Sequence, residues 1–333
     1  MKKYRIPEAL VGKITRVMPV IMAGAILLAA TGTTSRAAGE GAPGPGKISF
    51  GVLPAVQALP VFVAAEKGFF TGEGLEVELF LFNSAMEKDV ALTAGRIEGY
   101  FGDLITPMVL TANGTPARTA AEIFNTTGRE RMFAILAAPG TRDRTLSELA
   151  AEGLAGSSNT IIEYVVDRIF QEEGVVPGPG FRMIETKNIP IRLQMLLAGQ
   201  VAGAVLPEPL VSLAEQRGAR VVADDRGRGI SPTVLAFRGA FLQEHPAEAG
   251  RFIRAVARAA SFINENPEEA RPVMNRNCRV PDSLKENFAI PVFPQPGLPR
   301  EELVMDVSGW LKGKGVIRTG LTFDQAVESG LLP

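Results

Sequence analysis

The sequence predicts an α/β protein built from two lobes. Apolar, β-branched runs alternate with segments of helical periodicity in units of about 30 residues, which is typical of parallel sheets covered by helices. Residues 47–333 suit two ordinary cores, since 46% of the chain is hydrophobic and 7% aromatic. The clearest junction lies at residues 154–174, where a short strand, a polar turn and an amphipathic helix follow one another. At such a junction ligands meet backbone N–H groups.

The residues before this pattern predict export. A basic lead is followed by an apolar run at residues 17–30, which is shorter than the ~20 residues that span a bilayer. Small residues at Ala37 and Ala38 offer a cleavage site. We therefore expect a signal peptide at residues 1–38 and a flexible Gly/Pro linker at residues 39–46, with an uncleaved membrane anchor as the alternative.

The cysteine content and the charge limit the mature protein further. The only cysteine, Cys278, lies far downstream of the apolar run, so we expect no lipid anchor and a protein that is free in the periplasm. A formal net charge of -1 gives no global field to attract nucleic acid. No further apolar run approaches the length of a membrane span, and we expect a monomer.

The first lobe is expected over residues 47–138, and its polar turns predict a ligand crevice. Each of three predicted strands is followed by a turn and a helix, and the carboxyl ends of parallel strands share one edge of a sheet. The turns carry four candidate ligand-binding residues: Gln57, Asn83, Ser84 and Asp103. The local alternatives are a solvated turn residue for Gln57 and helix N-caps for the other three.

The second lobe is expected over residues 139–232, and the chain then returns to the first lobe over residues 233–333. Its strands and helices alternate again, which predicts a second sheet. Thr160 and Glu163 have the spacing of a capping box, and Gly174 stands where a left-handed C-cap is expected. The turn before this helix supplies four more candidates, which are otherwise turn and cap formers: Ser157, Ser158, Asn159 and Thr160.

Five segments, taken in order, resemble one protein family. They are GVLPAVQALPVFVAAEKGFF, FNSAMEKDVAL, AGRIEGYFGD, SSNTIIEYVVD and IPIRLQMLLAGQVAGAVLPEPLVSLAEQRGARVV. They are similar to the substrate-binding proteins of the nitrate, sulfonate, taurine and thiamine-precursor import group, and the resemblance runs from about Lys47 to the C-terminus. One departure is Ala202 and Gly203, where relatives commonly carry Asp after Gly-Gln-Val.

The resemblance implies the type II periplasmic-binding fold. In this fold two α/β lobes enclose a ligand cleft, and two crossing strands form the hinge. It also implies that the turn at residues 206–209 borders the cleft. Glu208 is therefore a ligand candidate, with complementing a helix N-terminus as its local alternative. Trp310 and Leu311 are expected to be packing residues on a C-terminal helix.

The function that the resemblance implies is the extracytoplasmic solute-binding component of an ABC importer. The expected partners are a small-molecule solute and the permease and ATPase subunits, with membrane contact only through the permease. Two alternatives are a solute sensor that presents its closed form to a receptor, and an enzyme of pyrimidine-precursor metabolism on the same fold. The sequence offers His245 and Cys278 as its only histidine and cysteine, far apart and without a catalytic motif. We therefore expect no catalytic residues, no metal site and no cofactor.

The charge of the predicted cleft turns favours a neutral or amine-bearing solute. None of the turns contains Arg or Lys, whereas Asp103 and Glu208 would place two carboxylates around the cleft. An inorganic anion or a sulfonate usually needs a cation or free N–H groups. The alternative is a cleft into which Arg129 or Lys187 folds, since such a cation could reverse this balance.

Overall fold

A computed structural model describes residues 46–126, 128–141, 143–178 and 181–332. The predicted signal peptide, and the predicted linker except Gly46, lie outside these residues. The strands are β1 Gly46–Val52, β2 Leu75–Leu81, β3 Gly99–Gly102, β4 Ala117–Phe124, β5 Phe133–Ala137, β6 Leu154–Gly156, β7 Met183–Glu185, β8 Gly203–Pro207, β9 Arg220–Asp224 and β10 Thr233–Arg238. The helices are α1 Leu59–Glu66, α2 Phe69–Gly72, α3 Ala85–Thr93, α4 Ile105–Ala112, α5 Leu146–Glu152, α6 Ile161–Glu172, α7 Ile189–Leu197, α8 Leu210–Gln216, α9 Gly239–Glu244, α10 Pro246–Glu265, α11 Pro267–Asn277, α12 Glu301–Gly313 and α13 Phe323–Ala326. Among these described helices, none has the length and apolar character needed to cross a membrane.

The first lobe is built on a five-stranded sheet in the order β2-β1-β3-β10-β4. β1 pairs in parallel with β2 and with β3. β10 runs antiparallel to both of its neighbours, β3 and β4. The prediction of a largely parallel sheet therefore holds only for one side, because β10 returns from the second lobe and enters from the opposite end.

The core of the first lobe is aromatic and lies between this sheet and the helix α10. The ring of Phe50 on β1 stacks against Phe252 on α10 at 4.4 Å between centroids. Phe237 on β10 meets Phe50 at 5.6 Å, and Phe70 on α2 meets Phe252 at 4.6 Å. All four side chains are buried, so they fix β1, β10 and α10 relative to one another.

The second lobe is built on a second five-stranded sheet in the order β7-β6-β8-β5-β9. β6 pairs in parallel with β7 and β8, whereas β5 is antiparallel to β8 and β9. The helix α6 packs its apolar stripe on this sheet, with Val165, Val166 and Ile169 fully buried. The amphipathic helix predicted within residues 154–174 is thus confirmed.

The chain crosses between the lobes at two places, and one of them differs from the prediction. β4 lies in the first sheet, and the next strand, β5, already lies in the second sheet. The first crossing is therefore the segment between Phe124 and Phe133, and the expected end of the first lobe at residue 138 is too late. The error came from β4, an alanine-rich strand that the sequence analysis did not recognise. The return crossing joins Asp224 on β9 to Thr233 on β10.

The C-terminal segment is bound to the first lobe. Backbone hydrogen bonds join Glu122 on β4 to Gly297 in both directions, and a second bridge joins Thr119 to Val327. The helix α12 packs on α4. Trp310 and Leu311 on α12 are buried, in agreement with the packing role expected for them.

Candidate functional site

A cavity of about 860 Å³ lies between the two lobes. Its wall on the first lobe comes from α3 and α4 and the turns that precede them, and its wall on the second lobe comes from the turns that precede α6 and α7. Seven of the nine predicted site residues line it: Asn83, Ser84, Asp103, Ser157, Ser158, Asn159 and Thr160. The structure thus brings together turns that are distant in the sequence, because each follows a strand of its sheet.

On the first lobe, the turn before α3 is held by helix capping. The Ser84 hydroxyl accepts a hydrogen bond from the Glu87 backbone N–H at 3.2 Å. The Glu87 carboxylate accepts one from the Asn83 N–H at 3.1 Å. The Asn83 side-chain oxygen accepts a hydrogen bond from Arg279 at 2.6 Å. The local alternative of a capping role is therefore real for Ser84, and it leaves both side chains on the cavity wall.

Asp103 also caps a helix at the cavity. Its Oδ1 atom accepts hydrogen bonds from the backbone N–H groups of Ile105 and Thr106 at 2.9 and 3.0 Å. A carboxylate at this position is stabilised by the positive end of the α4 dipole. The sequence left open whether Asp103 caps a helix or faces a ligand; the structure shows the cap and places the residue in the cavity lining.

A buried lysine lies behind this acidic wall. The Lys88 side chain is only 1% exposed, and its Nζ lies 3.3 Å from Asp89 Oδ1 and 3.5 Å from the centre of the Tyr100 ring. Burial lowers the pKa of Lys88, against the attraction of Asp89 and Asp103. Burial likewise raises the pKa of Asp89, which lines the cavity. Lys88 therefore neutralises part of the negative charge of this wall from behind.

On the second lobe, the turn before α6 is supported by a buried arginine. Arg192 is 1% exposed and donates to Ser157 Oγ at 2.8 Å. It also donates to the carbonyl oxygens of Thr186 and Val205 at 2.7 and 2.9 Å. Burial lowers the pKa of Arg192 to about 10, still well above neutral pH, so the guanidinium stays charged. The wall thus rests on a cation whose partners are all neutral oxygens.

The rest of this turn differs slightly from the predicted capping box. The Thr160 hydroxyl accepts from the Ile162 N–H at 3.2 Å, as an N-cap does. The Glu163 carboxylate, however, accepts from the Asn159 N–H at 2.6 Å and not from Thr160. Asn159 adopts a left-handed conformation with φ of 59°, which brings its N–H within reach of Glu163. Ser158 donates its own backbone N–H to Glu185 at 2.7 Å.

Gln57 and Glu208 are not among the residues that line this cavity. Gln57 is 2% exposed and lies in the turn between β1 and α1, so it is not the solvated residue of the alternative interpretation either. Glu208 is also buried, and its carboxylate accepts from Arg131 at 2.6 Å and from the Ser212 hydroxyl at 2.9 Å. It also accepts from the Ser212 N–H. Its oxygens are thus engaged in fixing the start of α8 beside the first crossing.

The two crossings that form the hinge are joined by the buried carboxylate of Asp225. One oxygen accepts from the backbone N–H groups of Met132 and Phe133 at 2.9 and 3.1 Å. The other accepts from the Ser231 hydroxyl, so the two crossings are joined. Burial raises the pKa of Asp225 to about 6, against these hydrogen bonds. The sequence analysis did not identify this residue, because a single Asp in a turn gives no sign of a partner 92 residues away.

Several further lining residues also escaped the sequence analysis. Met86 and Val90 stand one helical turn apart on α3 and are among the most exposed large apolar residues of the described chain. In the sequence, the spacing of Met86 and Val90 could have indicated that both side chains lie on one face of α3. Lys187 lines the cavity, so the expectation of a cleft without a cation is wrong. Arg129 is not among the lining residues. The charged lining residues are Glu87, Asp89, Asp103 and Lys187.

The single histidine and the single cysteine of the chain lie away from this cavity. Cys278 is fully buried at the end of α11, where burial raises the pKa of its thiol. His245 precedes α10 and lies near Glu248, with 52% of its side chain exposed. Neither lines the cavity. Among the described residues, no group of three or more His, Cys, Asp or Glu side chains is arranged to hold a metal ion.

Solved structures share this fold across almost the whole described chain. The alkanesulfonate-binding protein SsuA from Xanthomonas axonopodis pv. citri, bound to MOPS, has a TM-score of 0.74 at 14% identity, covering 87% of this chain and 100% of that one. The ligand-binding component of an ABC-type import system from Staphylococcus aureus, with zinc bound, has a TM-score of 0.70 at 17% identity, covering 86% and 97%. The desulfurization enzyme DszB has a TM-score of 0.64 at 15% identity, covering 86% and 97%.

These similarities confirm the predicted fold class of two α/β lobes with a cleft between them. At such low identity they establish the fold alone. No curated protein sequence matches the chain closely enough to count as a relative. Residues 41–276 match the family model described as the NMT1-like family. That match covers well over half of the chain, and the protein therefore belongs to the NMT1-like family.

Proposed function

We propose that the protein is the extracytoplasmic solute-binding component of an ABC importer. The observation that carries this proposal is the cavity between the lobes, which is lined by strand-end turns from both sheets. A solute held there contacts both lobes at once, so it stabilises the arrangement in which the two walls face each other. Two chain crossings, joined by Asp225, supply the hinge about which the lobes move.

The proposed route of the solute follows from this role. The chain is exported by its N-terminal signal, collects the solute in the periplasm as a monomer, and delivers it to a permease that an ATPase subunit drives. Two of the structural neighbours, SsuA and the Staphylococcus aureus protein, carry binding or import roles in their names. A sensor that presents the same closed form to a receptor would use the same cavity and the same hinge.

The solute is proposed to be a small organic molecule that is neutral or carries an amine. Three carboxylates and one ammonium line the cavity, namely those of Glu87, Asp89, Asp103 and Lys187. Together with the ammonium group of Lys88 behind the wall, these groups have one net negative charge. The cation that supports the other wall, Arg192, is fully buried and bonded to protein oxygens. An anionic solute therefore has Lys187 as its nearest counter-ion and three carboxylates to oppose it.

The cavity supports a binding role better than a catalytic one. DszB shows that an enzyme can have this fold, so the fold does not decide the matter. The lining contains neither His245 nor Cys278, and the oxygen atoms of Ser84, Ser157 and Thr160 are committed to helix capping or to Arg192.

A thermal-shift series tests the proposal. Aminopyrimidines, aliphatic amines, alkanesulfonates and nitrate are added separately to the purified mature chain. A solute at 100 times its dissociation constant adds about 2.7 kcal/mol, which raises the melting temperature by roughly 5 °C. We expect an amine or an aminopyrimidine to give this shift and to reduce the radius of gyration. Conversion of the probe into a new product, followed by mass spectrometry, would contradict a binding role.

A further inference from the structure

The two lobes touch at a second place, outside the cavity, where α6 of the second lobe meets α12 of the C-terminal segment. The rings of Tyr164 and Trp310 meet edge to face, with centroids 5.5 Å apart at an angle of 81°. The Tyr164 hydroxyl donates to Asp306 at 2.6 Å, and the Trp310 ring N–H donates to Asp167 at 2.9 Å. Both rings are buried. Since α12 packs on α4, this contact joins the two lobes.

Ion pairs surround these two rings. Arg168 on α6 lies 2.8 Å from Asp306 on α12. Lys314, at the end of α12, pairs with Asp167 at 2.9 Å and with Glu163 at 2.8 Å. Every one of these pairs has one member on each lobe. We name this group the α6–α12 contact; it consists of Glu163, Tyr164, Asp167, Arg168, Asp306, Trp310 and Lys314.

Glu163 connects this contact to the cavity. Its Oε2 atom accepts the Asn159 N–H at 2.6 Å, while its Oε1 atom accepts from the Lys314 ammonium at 2.8 Å. Asn159 lines the cavity and adopts the left-handed region at φ of 59°, which asparagine enters more readily than most other non-glycine residues. One carboxylate therefore bonds a cavity turn on one side and the opposite lobe on the other.

Lys314 matters for how this carboxylate is oriented. Glu163 is mostly buried, with 12% of its side chain exposed, and Lys314 is 34% exposed. Burial of a carboxylate is unfavourable unless its oxygens are hydrogen-bonded or paired. When the lobes separate, Lys314 leaves with α12, so Glu163 loses one of its two partners and water gains access to the bond with Asn159.

We infer that Glu163 is a positioning residue that makes the geometry of the cavity turn depend on contact between the lobes. With the lobes together, Lys314 and Asn159 each take one oxygen, and the Asn159 turn is fixed. With the lobes apart, the turn loses this support. The inference concerns the ligand-free chain, so it stands or fails separately from the proposed solute role.

Amide hydrogen exchange of Asn159 tests this inference on the ligand-free mature chain. Lys314→Gln removes the charge and keeps most of the side-chain length. We expect the Asn159 amide to exchange roughly three- to tenfold faster in this variant. Lys312→Gln, on the exposed side of the same helix, makes the same charge change and should leave the exchange rate at the wild-type value. Lys314→Arg should restore protection.

The fluorescence of Trp310 provides the second readout. It is the only tryptophan of the chain and lies in the α6–α12 contact, so loosening of the contact should shift its emission to longer wavelength in Lys314→Gln but not in Lys312→Gln. Glu163→Gln should also speed the exchange of the Asn159 amide. The variant that carries both Glu163→Gln and Lys314→Gln should exchange no faster than the faster of the two single variants. An Asn159 exchange rate within twofold of wild type in Lys314→Gln would overturn the inference, whether or not the emission shifts. In that case Lys314 would act only within the contact.

Discussion

The two walls of the cavity are each supported by a buried cation, and the two cations are bound in different ways. Behind the wall of the second lobe, Arg192 donates only to neutral oxygens, two carbonyls and a hydroxyl. Behind the wall of the first lobe, Lys88 has an ion pair with Asp89 and the face of Tyr100. Both side chains are 1% exposed. The planar guanidinium, with five donors, suits the first arrangement, and the compact ammonium suits the second.

This difference assigns separate tasks to the two walls. Arg192 binds two backbone carbonyls and the Ser157 hydroxyl, and none of these hydrogen-bond partners is a carboxylate, so it supports the structure of its wall. Lys88 shares its charge with a carboxylate that itself lines the cavity, so its wall sets the charge that a solute meets. We therefore expect loss of Arg192 to affect stability most, and loss of Lys88 to affect the response to pH.

The largest effect is expected for Arg192→Met. The substitution leaves buried acceptors on Thr186, Val205 and Ser157 without a donor, at a cost of about 3 kcal/mol. The melting temperature should fall by roughly 6 °C or more. Arg217→Met, an exposed arginine of the same lobe, is the matched control and should change it by less than about 1 °C. Equal losses in the two variants would mean that the buried hydrogen bonds of Arg192 contribute little.

Asp225 in the hinge extends the comparison to a buried carboxyl group. Its hydrogen-bond partners, like those of Arg192, are neutral. Its pKa is raised to about 6 in the fold, against about 3.9 in an unfolded chain. Folding therefore favours the protonated carboxyl group. Its contribution to the free energy of unfolding is fully present below pH 4 and is lost as the pH rises through 6. Asp225→Asn keeps the acceptor for Met132 and Phe133 and cannot ionise.

The variant and the wild type should therefore melt at similar temperatures at pH 4. Between pH 4 and pH 7 the wild type should lose stability relative to Asp225→Asn, by up to ~3 kcal/mol for a shift of about two pKa units. Other groups with raised pKa, such as Glu122, are present in both proteins and cancel in the difference. If the melting temperatures of the two proteins instead change in parallel with pH across this range, Asp225 is ionised in the folded protein at all of these pH values.

A smaller effect of distinct form is expected for Lys88→Met. Burial already raises the pKa of Asp89, so ionisation of this carboxylate lowers stability as the pH rises, and Lys88 offsets that loss. Without the ammonium, the pKa of Asp89 should rise further. We expect Lys88→Met to be at least as stable as wild type at pH 4, where protonation of Asp89 leaves the buried ammonium without its partner, and to lose stability relative to wild type as the pH rises to 8. Adding Asp89→Asn should remove the difference; a deficit that stays constant with pH would show that Lys88 acts through packing alone.

Much of the fold could be predicted from local sequence patterns. The alternation of strands and helices in both lobes and the helix α6 within residues 154–174 agree with the prediction, because apolar periodicity and caps determine them. β4 was missed since ARTAAEIF contains small and charged residues where a strand usually carries β-branched ones. Its burial comes from the pairing with β10, which is not a local property of the sequence.

The candidate site divides in the same way. The turns at residues 83–84, 103 and 157–160 follow strand ends, and the rule for open α/β sheets places them correctly at one cavity. Lys88, Arg192 and Asp225 could not be found, because each acts through partners on other elements. Glu208 was expected at the cleft from the resemblance, but Arg131, 77 residues away, and Ser212 take up its carboxylate.

The measurement that tests the central claim most directly is native mass spectrometry of the protein purified from the periplasm of its own host. The account predicts one small solute for each chain, released on denaturation, and a released molecule that is neutral or carries a protonatable amine. Its loss on dialysis, and its return when it is added back, would show that the cavity binds it reversibly. Recovery of a sulfonate, nitrate or another anion from the cavity would contradict the account of the two walls.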